Sequence, residues 1–283
     1  MLTSQYLLTE TFLSTAKEHF DVVLIEQDMN NQAFSLESIV LHHLNDNKHI
    51  LVVLKDTPLE NLLSITENIP SASLTLINPS TGILGFGNKW FWDKGDIAKA
   101  FCFGYQVIEP AYQEDIFSYL KPQGKLYIRI NEHTPLRDDL PNLNYIDNDD
   151  MVFSLQEYGF SGSHGTIIAL GLASVDIIHA GVILQEKGKS MDVFVSKNVY
   201  IPLAKPLQES IQRTEKLIIV CDQHPWTLYE SWIKAQLWET GLVETEVFFI
   251  TPDYGSITTI LTEYIYEQAK FDGNYIATKI NTI

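Results

Sequence analysis

Residues 165–196, GTIIALGLASVDIIHAGVILQEKGKSMDVFVS, contain the pattern that decides the fold. An apolar run, Thr166–Leu170, precedes a helix-period segment, Ala173–Lys187, which ends at Gly188, and a second apolar run, Met191–Ser196, follows. Strands that are apolar along their whole length and separated by helices are typical of a parallel sheet covered on both faces. The segment therefore predicts part of an α/β domain.

The same alternation extends in both directions along the chain. Before the segment, it predicts strands at Asp21–Glu26, His49–Leu54, Ala72–Ile77, Tyr105–Ile108 and Lys125–Ile130, and helices at Ser4–His19, Ser35–Leu44, Pro58–Asn68, Asp96–Phe103 and Gln113–Leu120. After it, the pattern predicts helices at Lys205–Arg213, Leu228–Glu239 and Thr258–Gln268, and strands at Lys216–Asp222 and Glu246–Ile250.

The alternation stops between Asn131 and Asp150, where polar and charged residues leave little to bury. A polar segment of that length is typical of a linker between domains. The sequence thus predicts two consecutive three-layer α/β domains with mainly parallel sheets, at residues 1–130 and 151–283, joined by a linker at 131–150. This architecture alone says little about function, because it serves many chemistries.

The chain is acidic, with a formal net charge of −17 over 283 residues. Such a field repels nucleic acid and anionic membrane surfaces, so neither is expected as a partner, although solubility alone also explains an acidic surface. The two cysteines, Cys102 and Cys221, stand far apart without metal-ligand spacing, and we expect neither a disulfide framework nor a zinc site. Nothing in the N-terminal residues indicates a signal peptide, and no apolar run approaches the ~18 residues of a membrane span. We therefore expect a cytoplasmic protein.

The second half of the sequence contains a specific order of predicted elements and turns. It runs strand–Gly, helix, strand, a Lys-Pro-Leu-like turn, helix and strand, at Gly165–Gly171, Ser174–Gly188, Met191–Val195, Ile201–Leu207, Ser210–Lys216 and Leu217–Asp222. In this order and spacing, residues 165–251 resemble the C-terminal domain of the transketolase and 2-oxo acid dehydrogenase β-subunit families.

The first half contains matching fragments. They are a glycine-containing loop, Asn78–Gly87, then Asp96-Ile-Ala98, Val107-Ile-Glu-Pro-Ala111 and Tyr127-Ile-Arg129. These fragments resemble, in the same order, the pyrimidine-binding domain that precedes the C-terminal domain in those families. The resemblance implies the domain organisation of the separate β chains of thiamine diphosphate enzymes.

Glu26 is the candidate catalytic residue that the resemblance implies. The segment Ile25-Glu26-Gln27-Asp28-Met29 is similar to a family motif whose glutamate hydrogen-bonds the aminopyrimidine ring and promotes loss of the thiazolium C2 proton. In a competing alignment, Val22–Asp28 matches the family's earlier first strand, and the catalytic motif is deleted. A third possibility is an ordinary acidic residue at a strand end. The sequence leaves these alternatives open.

Gly82, Gly85 and Trp90 are the other candidate cofactor contacts, and His224 is a candidate substrate or interface residue. The loop containing Gly85 and Trp90 lacks the histidine that contacts substrate in the family, and its aromatic residues either line a pocket or pack against a partner chain. His224 either faces the domain interface or is a hydrogen-bonded structural histidine. Three other histidines, His42, His43 and His49, are expected on surfaces, with no carboxylate or cysteine at ligand spacing.

The diphosphate-binding signature of the family, Gly-Asp-Gly…Asn, which holds Mg²⁺, is missing from the sequence. The resemblance therefore implies that thiamine diphosphate is shared with a partner chain and that Mg²⁺ binds only through that chain. It implies a β-like subunit of a split transketolase-type enzyme, inactive alone, in a homodimer or a heterotetramer with a diphosphate-domain subunit. The alternatives are a non-catalytic homologue that serves as an assembly or regulatory scaffold, and an unrelated α/β binding protein. Four large apolar residues in Leu228–Trp238 favour a dimer interface: Tyr229, Trp232, Leu237 and Trp238.

Overall fold

The computed structural model describes residues 10–26, 34–54, 57–69, 71–79, 96–110, 113–130, 152–156, 159–171, 173–200, 203–221, 227–253 and 269–283. The chain divides into two compact units, Met1–Leu136 and Arg137–Ile283. Each unit contains one sheet and its own helices. The finer boundaries at residues 130 and 151 stay a prediction.

The first unit contains a five-stranded sheet in which all described strand pairs are parallel. Its strands are β1 (Val22–Ile25), β2 (His49–Val53), β3 (Ser73–Asn78), β4 (Gln106–Ile108) and β5 (Lys125–Arg129), in the order β1-β2-β3-β5-β4. Its helices are α1 (Glu10–His19), α2 (Leu36–Asn45), α3 (Leu59–Ile65), α4 (Asp96–Cys102) and α5 (Gln113–Ser118). Four consecutive residues of β2, Ile50 to Val53, are buried, which requires cover on both faces of the sheet.

The second unit also has a five-stranded sheet, in the order β10-β9-β7-β8-β6. Its strands are β6 (Val152–Ser154), β7 (Thr166–Leu170), β8 (Asp192–Ser196), β9 (Lys216–Val220) and β10 (Glu246–Ile250). Its helices are α6 (Ala173–Glu186), α7 (Lys205–Thr214), α8 (Thr227–Glu239) and α9 (Gly273–Thr282). Every residue of β7 and β8 is buried, and β6 pairs antiparallel with β8 whereas the other described pairs are parallel.

The predicted α/β fold class is confirmed, and the predicted elements that fall on described residues are observed within a few residues of their predicted ends. The start of the predicted helix Ser4–His19 lies outside the described residues, which begin at residue 10. Two elements were not predicted. The three residues of β6 are too few to show a period, and α9 contains Gly273 together with β-branched residues of low helix propensity. Helix α9 forms because Asp272 caps it and Ile276, Ala277 and Ile280 are buried against the unit. The predicted helix Thr258–Gln268 lies outside the described residues.

Candidate functional site

A buried ionic cluster lies at the carboxyl edge of the first sheet. Arg129 donates from Nε to Asp96 Oδ2 and from Nη1 to Glu109 Oε2, both at 2.8 Å. The Tyr127 hydroxyl donates to the same Asp96 oxygen at 2.8 Å and accepts from Asn78 Nδ2 at 3.2 Å. Arg129, Asp96 and Glu109 are 4%, 5% and 3% exposed, so bulk water does not screen their charges. We call these residues, Asn78, Asp96, Glu109, Tyr127 and Arg129, the Arg129 cluster.

The parallel register brings the cluster together. Asn78 at the end of β3 is paired with Arg129 at the end of β5, and Ile108 of β4 is paired with Ile128, which places Glu109 beside Arg129. Asp96 is the first residue of α4, where its Oδ1 accepts from the Ile97 N–H at 2.8 Å. These hydrogen bonds and ion pairs connect the carboxyl ends of the three neighbouring strands β3, β5 and β4 to the start of α4. In open α/β sheets, ligands bind outside this same edge.

Two carboxylates share one guanidinium, so the cluster has a net formal charge of −1 in a desolvated place. Burial, followed by the negative charge of Asp96, raises the pKa of the Tyr127 phenol well above its ordinary value. Tyr127 is therefore a neutral hydrogen-bond donor to Asp96 at physiological pH. Each charged group in the cluster already has a protein partner, which suits a rigid support for the sheet edge better than a proton-transfer group.

Glu26, a third carboxylate at this edge, follows β1 directly. It is half-buried, and its Oε1 accepts from the Thr57 N–H at 2.7 Å and from the Thr57 hydroxyl at 2.6 Å. Thr57 lies just before α3, so two donors near that helix start orient the carboxylate. Strand β1 is three positions from β5 in the sheet order, so Glu26 and Arg129 are separated by about 14 Å along the edge.

Of the predicted site residues, Glu26 is therefore placed at the carboxyl edge of the sheet. Gly82, Gly85, Trp90 and His224 lie outside the described residues, and their proposed roles stay predictions. The quoted sequence fragments by themselves predict no role for the Arg129 cluster. The sequence does contain a signal for this cluster. Three of the quoted family fragments contain four of its residues, Asp96, Glu109, Tyr127 and Arg129, and three of these four are charged residues beside apolar strands or helices.

The second unit has a buried acidic residue at the opposite edge of its sheet. Asp192, the fully buried first residue of β8, accepts from Ser210 Oγ at 2.5 Å, from the Gly162 N–H at 2.8 Å and from Arg213. Ser210 and Arg213 are on α7, so these bonds attach that helix to the amino edge of the sheet. We assign Asp192 a structural role.

One histidine prediction is wrong. His42 does have a carboxylate at ligand spacing, because Asp46 follows it by four residues and therefore lies on the same side of the helix end. Among the described residues, His42, His43 and Asp46 are grouped closely enough to hold a metal ion.

In the described part of the chain, no helix is long and apolar enough to cross a membrane. Neither the protein-family models nor the sequences of curated proteins match this chain. Solved structures do match. One chain, described as a split-gene transketolase in an inactive β4 tetramer, superposes with a TM-score of 0.67 at 14% identity, over 92% of this chain and 91% of that one.

The fold is transketolase-like. A transketolase from Campylobacter jejuni superposes with a TM-score of 0.56 at 11% identity, over 83% of this chain but 36% of its own length. The transketolase-like fold that the sequence fragments predict is thus confirmed.

Proposed function

We propose that this chain is the β-type subunit of a split, thiamine diphosphate-dependent enzyme of the transketolase type. It would act with a separate diphosphate-domain chain in ketol or aldehyde transfer. The observation that carries the proposal is the nearly complete mutual coverage with a split-gene transketolase chain, 92% of this chain and 91% of that one. The match covers only 36% of the Campylobacter jejuni transketolase, as expected if this chain corresponds to one part of a whole enzyme.

The residues present fit one side of the cofactor. Bound thiamine diphosphate supplies a carbanion equivalent that accepts and releases the transferred carbon unit. The Glu26 carboxylate, half-buried and oriented by Thr57, has the chemistry to hydrogen-bond an aminopyrimidine ring. By contrast, a diphosphate needs a cation or a set of backbone donors, and the family signature for that function is missing from the sequence. The partner chain would hold Mg²⁺ and the diphosphate.

The proposal includes assembly. The similar split-gene chain is described as an inactive β4 tetramer, and a chain of the same type would form homo-oligomers that are inactive until the diphosphate-domain chain is added. Large interfaces of this kind bury apolar side chains. Trp238 on α8 is 74% exposed and is a candidate for such a contact. On the same helix, Leu237 is buried within its own unit, and the half-buried Trp232 packs edge-on against Tyr200 with ring centroids 5.4 Å apart.

The test is reconstitution with a diphosphate-domain chain from the same genome. We expect ketol transfer from the mixture and none from either chain alone. Glu26→Gln should abolish this activity. Glutamine has nearly the same shape as glutamate but cannot transfer a proton, so kcat should fall by more than KM changes. Glu18→Gln, an exposed acid on α1, is the matched control and should leave activity unchanged.

A mixture that is fully active with Glu26→Gln would refute the assignment of Glu26 and favour the alignment in which residues 22–28 are the family's first strand. If the mixture is inactive, sedimentation shows whether the two chains have nevertheless formed a complex. If the chains form a complex that has no activity, the enzymatic proposal fails.

A non-catalytic scaffold is the second candidate function, and one observation favours it. The three described carboxylates at the carboxyl edge, Glu26, Asp96 and Glu109, each accept hydrogen bonds from protein donors. A complex that forms without activity, and that forms equally well with Glu26→Gln, is the result this candidate predicts.

A further inference from the structure

The end of α2 combines three potential metal ligands outside the site described above. The buried face of this helix is formed by Leu36, Val40 and Leu44, and the helix ends at the C-cap residue Asp46. His42 is exposed and His43 is half-buried, both in the last turn. The core-facing residues thus hold the helix in place while the two imidazoles and the following carboxylate remain accessible to solvent.

The ligand atoms of His42, His43 and Asp46 all lie within 4.8 Å of one another. His42 Nε2 is 3.9 Å from Asp46 Oδ2, and the two imidazole centroids are 5.3 Å apart. In a tetrahedral zinc site with bonds of 2.0–2.1 Å, neighbouring ligand atoms are about 3.3 Å apart. The His42 and Asp46 side chains are 72% and 54% exposed, so small rotations about their side-chain bonds can close this difference without disturbing the core.

The backbone around the three residues is well fixed. The Asp46 N–H donates to the carbonyls of His42 and His43 at 3.3 and 3.2 Å, and the Lys48 N–H donates to the His43 carbonyl at 3.1 Å. Between them, Asn47 takes a left-handed conformation with φ of 55°, which closes the helix. These bonds hold the Asp46 backbone at a constant position relative to His42 and His43, as a metal site requires.

The electrostatics of this helix end favour a cation. The last carbonyls of a helix give its C-terminus a partial negative charge, and a carboxylate there is unfavourable by itself. Asp46 adds a full negative charge at that point, in a chain whose net charge is −17. A bound divalent ion would neutralise the carboxylate and interact favourably with the helix carbonyls.

We propose that His42, His43 and Asp46 form a surface site for a divalent first-row transition ion, with Zn²⁺ as the representative ion. Two imidazole nitrogens and one carboxylate oxygen are a donor set that suits Zn²⁺, Cu²⁺ or Ni²⁺, with water in the remaining position. Mg²⁺ and Ca²⁺ prefer oxygen ligands, so these ions should not compete.

Calorimetric titration of Zn²⁺ into the full chain tests the proposal. Wild type should bind Zn²⁺ at this site, and His42→Ala or Asp46→Asn should weaken that binding by at least about tenfold, since loss of even an outer partner of a metal ligand costs 10–100-fold. His19→Ala, which removes an exposed histidine on α1, and Cys102→Ser, which removes an exposed thiol, are the controls and should leave the affinity unchanged.

These variants are expected to fold, because the changed side chains are exposed and alanine is a better helix former than histidine. Circular dichroism checks this, and imidazole proton signals give a second readout, since those of His42 and His43 should shift when Zn²⁺ is added. Absence of Zn²⁺ binding by wild type would overturn the proposal. Unchanged Zn²⁺ affinity in the His42→Ala, Asp46→Ala double variant would overturn it as well.

Discussion

Arg129 lies between two buried carboxylates and forms an ion pair with each, so its removal should be costly. Arg129→Met keeps a long side chain but leaves Asp96 and Glu109 buried without their guanidinium. Breaking a buried ion pair from one side costs about 3–5 kcal/mol. We expect a loss of this size in the free energy of unfolding, measured by urea denaturation at pH 7.

Arg213→Met is the matched control in the second unit. Asp192 would keep its bonds from Ser210 and Gly162, and the Arg213 side chain is 48% exposed, so the loss should be smaller. Adding Asp96→Asn and Glu109→Gln to Arg129→Met removes the two buried negative charges that no longer face a guanidinium and should restore part of the stability. Equal losses for Arg129→Met and Arg213→Met would contradict the account of the Arg129 cluster.

At the scale of secondary structure elements, the packing of α9 on α6 depends on a glycine. A Cβ added at Gly273 would lie 2.6 Å from Nδ1 and 2.9 Å from Cβ and Cγ of His179. In a helix interior alanine is more favourable than glycine by about 1 kcal/mol. Gly273 is the first residue of α9, where this gain is smaller, and the His179 ring would have to move. We therefore expect Gly273→Ala to lower the melting temperature.

A double-mutant cycle provides the control for this prediction. In the His179→Ala background the ring is removed and only the 2.9 Å contact with the Cβ of residue 179 remains, so Gly273→Ala should lower the melting temperature less than in the wild-type chain. The coupling free energy between the two positions then measures the contact. If Gly273→Ala raises the melting temperature of the otherwise wild-type chain, the close approach of α9 and α6 is wrong.

The elements also show what can be predicted from sequence. Strands β7 and β9 are almost wholly apolar, so their burial on both faces was visible in the chain. Helix α9 could not be predicted from the sequence, because its local helix propensity is low. Its stability comes from the Asp272 cap and from burial against its own unit. In the candidate site, Glu26 could be predicted from a motif, whereas the Arg129 cluster results from the register of three strands and a helix start.

At the scale of the whole molecule, the proposed assembly makes a prediction about size. We expect the chain to sediment as an oligomer larger than 32.2 kDa at micromolar concentration. Trp238→Ser should shift the distribution towards smaller species, because the exposed indole of α8 would no longer be available for a subunit contact. Trp238→Phe retains an apolar ring and is the control. A wild-type chain that sediments as a monomer would contradict the assembly proposal.

The central claim is that this chain holds only the pyrimidine side of a shared cofactor. Its direct test is calorimetric titration of thiamine diphosphate with Mg²⁺ into the purified chain alone. The account predicts no tight binding, because no diphosphate signature is present and the net charge of −17 opposes an anionic ligand. Micromolar affinity of the isolated chain for thiamine diphosphate would contradict it.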